Sequence, residues 1–243
     1  ISNIKLVNNI IKNQRLVTIG ETIGGLSHDV KNILNNFENG IAIMDMAVES
    51  NNKEMLEEGR NILKRSYDRM KNLVLSMVDY SREREIELVP SDINKVIKEA
   101  VSIKKDEFKE KRIKLMEEWD KNIPEVYLDS ERIERMIINL LDNAIDAVKE
   151  KTGVIKVGTK FLSDRGAVKI WVEDNGHGIP AENLDRIFDV FFSTKGNRGT
   201  GFGLAIVQKV VREHNGTIDV QSIVGKGTRF TIEIPVKNKG GKK

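Results

Sequence analysis

Apolar residues at Ile19, Ile23, Leu26, Val30, Ile33, Phe37, Ile41, Met44 and Val48 recur at three- and four-residue steps, which predicts one long amphipathic helix. The polar run Glu49 to Lys53 interrupts it. A second stripe follows through Leu56, Leu63, Tyr67, Met70, Val74 and Met77, so the two helices are expected to form an antiparallel hairpin. A lone hairpin buries too little apolar surface to stand by itself, and pairing with a second copy would complete a four-helix bundle. A homodimer is therefore expected. Upstream, Ile4, Val7 and Ile11 continue the helical spacing through residues 1–15 and predict a coiled-coil extension toward a preceding domain.

Beyond the hairpin the pattern changes. Ser81 to Val89 is charge-rich and Pro90 stops a helix, which places a linker at 84–91. Ser91 or Asp92 can then cap a helix running to about Lys111. Strand-like runs follow at Ile113 to Trp119 and Val126 to Leu128, and a helix over roughly Glu131 to Glu150. Further strands are expected at Val154 to Phe161, Val168 to Glu173, Thr217 to Gln221 and Arg229 to Ile234, with a helix after Gly203. The fold class is α+β, a helical hairpin followed by a two-layer sandwich of mixed sheet and helices. The expected divisions are 1–15, 16–83, the linker, 92–237, and a disordered basic tail at 238–243.

Composition narrows the classes. With 243 residues, 39% of them hydrophobic, the chain can hold one large or two ordinary domains. Its 40 basic and 37 acidic side chains leave only +3, so nothing electrostatic argues for nucleic acid. There is no cysteine, which removes disulfides and thiolate metal sites, and the three histidines lack metal-ligand spacing. No apolar run reaches the roughly 18 residues of a membrane span, and no signal-peptide pattern opens the chain. The expected location is the cytoplasm. Because the chain opens at Ile1 inside a helical pattern, an upstream sensor domain outside this fragment, membrane-anchored or not, is also expected.

Candidate chemistry begins at His28. Leu26 and Val30 flank it by two positions, about 200° round the helix, so the ring should point away from the apolar stripe. An exposed imidazole with an ordinary pKa of about 6.5 is a nucleophile near neutrality, and phosphoryl acceptance is the first chemistry to consider. Downstream, Asn139, Asn143 and Asp146 share one helix face. Carboxamide oxygens suit a magnesium ion that already carries phosphate, which makes Asn143 the candidate metal ligand; without a nucleotide nearby the same face would simply be solvated. Asp174 stands at a strand end before Asn175-Gly176-His177-Gly178, where its carboxylate could accept from an adenine amine. Alone, that segment is equally a common turn. Gly199-Thr200-Gly201-Phe202-Gly203-Leu204 opens a helix whose free N–H groups favour phosphate, and it lacks both the Walker and the dinucleotide pattern. Lys195 and Arg198 precede it and can offset phosphate charge.

Together and in this order, these segments resemble a sensor histidine kinase of a bacterial two-component system. The resemblance covers about Leu16 to Val236: a histidine box at His28-Asp29-Val30-Lys31-Asn32, an asparagine box at Asn139 to Ala147, glycine boxes at Asp174 to Gly178 and Gly199 to Gly203, a phenylalanine box at Phe188 to Phe192, and a closing turn at Gly225 to Thr228. It implies a Bergerat-type ATP-binding fold, ATP and Mg2+, and phosphoryl transfer from ATP to His28 with Asp29 as general base. It also implies transfer onward to an aspartate in the receiver domain of a response regulator. Asn32, one turn past His28, would orient water for dephosphorylating that partner; a simple surface amide is the competing reading. Nucleotide contacts are implied for Asn139, Asn143, Asp146, Asp174, Gly176, Gly178, Lys195, Arg198, Gly199, Thr200, Gly201, Gly203, Leu204 and Thr228. Many relatives carry proline where Ile33 stands, so a straighter helix is expected here. Gyrase-type ATPases are the rival class, but they place an acid where Asn139 stands, and an amide cannot serve as that base. A dimeric nucleotide-binding scaffold without transfer is the non-enzymatic rival.

Overall fold

A computed structural model of the chain describes residues 30–81, 85–195, 199 and 201–236. These divide into two units: residues up to Arg82 together with Val190–Phe202, and Glu83–Asp189 together with the chain from Gly203 onward. The expected coiled coil at 1–15, together with His28 and Asp29, lies outside the described residues, as does the basic tail.

In the first unit, helix α1 covers 30–49 and helix α2 covers Lys53–Ser81. The turn between them follows from three residues. Asn51 takes a left-handed φ of 50°, a conformation that asparagine tolerates at a helix end. Asn52 Oδ1 then accepts from the N–H groups of Glu54 and Met55, both at 3.1 Å, capping α2. Ile33 is fully buried and α1 runs through it without a break.

The hairpin seam differs from the expected stripe. Its buried residues are Ile33, Gly40 and Ala47 on α1 and Gly59, Ser66 and Leu73 on α2, at seven-residue spacing. The helices touch through small residues: a Cβ added to Gly59 would sit 2.5 Å from Met44 Cγ and 3.0 Å from the Gly40 carbonyl oxygen. Ile41 and Val48, expected on the same face as Ile33, are instead 51% and 70% exposed. A seven-residue repeat on one helix can serve two separate seams, and the side facing α2 uses the small one.

The second unit builds its main sheet in the order β2-β4-β5-β7-β6, from Lys114–Trp119, Val154–Leu162, Ala167–Asp174, Gly227–Pro235 and Thr217–Ile223. Strand β2 runs parallel to β4 and the other pairs are antiparallel. Helices α3 (Ile93–Ile103), α5 (Ser130–Ala147) and α6 (Gly203–Glu213) form the second layer, with α5 packed between α3 and α6 and against β5. Ile93, Ile97, Ile133, Met136, Ile137, Leu140 and Leu141 from the helices meet Ile155, Val168, Ile170 and Ile232 from the sheet in a core closed to solvent. Asp92 caps α3 through the N–H groups of Asn94 and Lys95, and Asp129 caps α5 through that of Arg132. Among the described residues no helix is long and apolar enough to cross a membrane.

Three expectations need correction. Val89–Ser91, placed in the linker, is strand β1, paired antiparallel with β3 (Val126–Leu128). The single helix expected to Lys111 breaks at Lys104, separating α3 from α4 (Lys105–Glu110). There the Lys104 ammonium pairs with Asp142 on α5 and with Glu107. Burial alone would lower its pKa, but these carboxylates outweigh burial and raise it. Finally, α5 ends at Ala147 rather than near Glu150, because Val148 turns to extended backbone.

Candidate nucleotide site

The candidate site collects at the ends of α5, β5, β7 and α6. Asp174 closes β5 and is buried, 8% exposed. Its Oδ1 accepts the Gly176 N–H at 2.7 Å. Burial pushes the carboxyl above its ordinary pKa, while the backbone N–H groups of Gly176 and Thr228 hold it down. Asn175 anchors the loop to β4: its Oδ1 accepts from Val154 N–H at 2.7 Å and its amide donates to Thr152 O.

The loop lies against the end of α5. The His177 N–H donates to the Ala147 carbonyl at 3.1 Å, and a Cβ on Gly176 would come within 2.5 Å of that same oxygen. A side chain cannot fit there, so glycine follows from the packing. The other side of the loop meets the β6–β7 turn, where Gly225 N–H donates to His177 O at 2.8 Å and Ile179 N–H donates to Ser222 Oγ at 2.7 Å. Thr228 is buried directly opposite Asp174 in the β5–β7 register. The His177 side chain itself is exposed.

Asn139 and Asn143 project from α5 toward the first residue of α6. From a Cβ built on Gly203, Asn139 Oδ1 lies 3.6 Å away and Asn143 Nδ2 4.0 Å. The Nδ2 of Asn139 is buried without a hydrogen-bond partner, a costly state that a bound acceptor would relieve. The start of α6 adds N–H groups that have no partner inside the helix and the positive end of its dipole. A polyanion matches this arrangement, and the neutral oxygen of Asn143 suits a hard cation bound together with it. Among the described residues no cluster of three or more His, Asp or Glu could hold a metal alone, and an ion at Asn143 would share oxygens of the ligand.

The structure thus places Asn139 and Asn143 beside Gly203, and Asp174 beside Gly176 and Thr228 with Gly178 against the β6–β7 turn; Leu204 follows Gly203 in α6, and Asp146 is exposed on α5. Lys195, Gly199 and Gly201 belong to the segment 190–202 of the other unit. Within that segment Phe191 N–H donates to Gly201 O at 2.9 Å, and the Phe191 and Phe202 rings meet edge to face at 4.6 Å. Arg198 and Thr200 lie outside the described residues. Asn32 is half-buried on α1. His214, just past the end of α6, is fully buried: its Nδ1 lies 2.8 Å from Val210 O, and its Nε2 accepts the Asp129 N–H at 3.0 Å. Ser222 was not singled out, although a hairpin turn over 223–227 places it opposite Thr228.

Residues 128–238 match the family model for histidine kinase-, DNA gyrase B- and HSP90-like ATPases. The catalytic domain of the histidine kinase ThkA is 33% identical, covering 62% of this chain and 96% of that one with a TM-score of 0.56. ThkA in complex with the response regulator TrrA aligns over 94% of this chain and 65% of that one, at 28% identity and a TM-score of 0.79. The sensor histidine kinase ZraS of Escherichia coli K12 is 32% identical over 228 residues, 93% of this chain and 47% of its own. This chain belongs to the sensor histidine kinase family and carries the family's α/β ATP-binding domain. It spans about half the length of the curated relatives it matches.

Proposed function

We propose that the protein phosphorylates itself on His28 from ATP and passes the phosphoryl group to an aspartate of a response regulator. The observation that carries this reading is the pairing of Asn139, with its unpartnered buried amide, and the N-terminus of α6, in the same unit as the buried carboxylate of Asp174. Asp174 accepts from the amino group of adenine, the α6 N–H groups and Asn139 hold phosphate oxygens, and Lys195 and Arg198 offset phosphate charge. Asn143 would hold Mg2+ by its side-chain oxygen, and that ion would neutralise charge on the departing diphosphate. In the transfer, His28 Nε2 attacks the γ-phosphorus, the bond to the bridging oxygen breaks and ADP leaves. Asp29 takes the proton from Nδ1, so the ring does not accumulate positive charge.

The hairpin supports a homodimer. Leu34, Ile41 and Val48 repeat every seven residues along α1 and are all half or more exposed, as are Tyr67 and Val74 on α2. Two such faces would form the core of a four-helix bundle. Ile33 is sealed in the seam and cannot serve as a contact for the regulator. Tyr67 is 59% exposed and, with the half-buried Phe37, offers a contact for the regulator. Asn32 then directs water at the phosphorylated regulator, which gives a bifunctional enzyme. It works in the cytoplasm, where ATP and the regulator are, and takes its signal from an upstream sensor domain.

The test is incubation with γ-labelled ATP and Mg2+. Label that is stable in base, labile in acid and lost on addition of a cognate receiver domain supports the proposal. Label on hydroxyl side chains, or hydrolysis without retained label, refutes it.

A further inference from the structure

Three neighbouring strands align a polar row on one face of the sheet. Asp174 of β5 stands opposite Thr228 of β7, which stands opposite Ser222 of β6. Ser222 Oγ has three partners: the Ile179 N–H at 2.7 Å, the Gly227 carbonyl at 3.1 Å and Thr228 Oγ1 at 2.9 Å.

Hydrogen counting fixes the direction of each bond. An N–H can only donate, a carbonyl can only accept, and a serine hydroxyl has a single hydrogen. Ser222 therefore accepts from Ile179 and donates to Gly227, and its remaining lone pair receives the hydroxyl hydrogen of Thr228. Thr228 Oγ1 has then spent its hydrogen and presents only lone pairs. It lies beside a carboxylate, which when ionised also offers only acceptors. Both groups are nearly closed to solvent, where a donor and acceptor mismatch cannot be relieved by water.

We infer that Ser222 is a positioning residue that sets base selectivity: by taking the Thr228 hydroxyl hydrogen it makes Thr228 an acceptor next to Asp174, so the pocket favours a purine with an exocyclic amino group over one with an oxo group. The inference rests on the ATP reading above. Ser222 also fastens the loop at Ile179 to the β6–β7 turn, so it fixes both walls of the pocket without touching the base. Without its hydroxyl, Thr228 regains a free rotor and can donate to an oxo group.

The experiment is calorimetric titration of the whole chain with ATP and with inosine triphosphate, which differ at the base alone. Wild type should prefer ATP. In Ser222→Ala the ratio of the two affinities should fall about tenfold, the scale of one buried hydrogen bond, and Ser222→Thr should restore it. Equal weakening for both nucleotides would make Ser222 merely structural and overturn the inference, as would an unchanged ratio. If circular dichroism finds Ser222→Ala unfolded, Ser222→Cys keeps the bulk, removes the strong acceptor and is held to the same ratio. Wild type that binds neither nucleotide, or binds both equally, overturns the ATP reading and this inference together. A wild-type preference with an unaltered variant overturns this inference alone.

Discussion

Replacing His214 by leucine removes a buried link between two helices. The imidazole has no exposed surface; its Nε2 accepts the N–H of Asp129, the cap of α5, and its Nδ1–H donates to Val210 O in α6. These partners demand the neutral ring with its hydrogen on Nδ1. Burial pushes the His214 pKa below its ordinary value, against the raising influence of the Val210 carbonyl, Asp129 and Glu213, while Arg132 lowers it further. In His214→Leu, Val210 O keeps the His214-position backbone N–H as a partner, but the Asp129 N–H is stranded. A stranded buried donor costs about 1–3 kcal/mol. At about 2 kcal/mol the melting temperature should drop by roughly 4–8 °C at pH 8. The penalty should then shrink on acidification. Below pH ~6.5 the unfolded wild-type chain takes up a proton that folded His214 resists, so this contribution, complete above that pH, is lost by up to about 1.4 kcal/mol per pH unit. Urea unfolding at pH 8 and pH 5.5, followed by tryptophan fluorescence, measures it directly, since Trp119 and Trp171 both lie in the sandwich unit. Other groups titrate in both proteins and cancel in the difference. A difference that stays constant, or grows in acid, would refute the neutral-ring assignment.

Gly59→Ala should destabilise the hairpin by about 1–3 kcal/mol, because its Cβ would press on Met44 and the Gly40 carbonyl and overpacking exceeds alanine's helix-propensity gain of up to ~1 kcal/mol; thermal unfolding by circular dichroism checks it. Gly227→Ala should abolish nucleotide binding, since φ there is 118° and a Cβ would overlap the Asp174 carbonyl; titration with ATP reads the loss. Lys104→Met should cost about 1 kcal/mol at pH 7, because Asp142, whose carboxyl burial already raises against the pull of Lys104, would lose that partner. The cost should fade toward pH 4 as Asp142 takes up a proton, which urea unfolding at both pH values would record.

Elements with strong periodicity were legible in the sequence: α2, α5, α6 and the strands of the main sheet fall within a few residues of their expected places. What escaped depended on partners distant in the chain. Val89–Ser91 is a strand only because Val126–Leu128 lies beside it, and Pro90 conceals it. The break at Lys104 answers to Asp142, 38 positions on. The hairpin seam was hidden because Gly40, Ala47, Gly59 and Ser66 carry almost no hydrophobic signal, although close helix approach requires small residues. The site was visible wherever glycine and asparagine spacing marks a turn or helix face. Ser222 was not, since its role exists only once strand register sets it against Thr228.

In the proposed reaction phosphorus moves from nucleotide to one imidazole. Phosphorus NMR of the intact protein after incubation with ATP and Mg2+, repeated on His28→Gln and Asp174→Asn, tests it most directly. A phosphoramidate resonance in the wild type that is absent from both variants is predicted. A resonance that survives His28→Gln, or a wild type that consumes ATP and never acquires one, would contradict it.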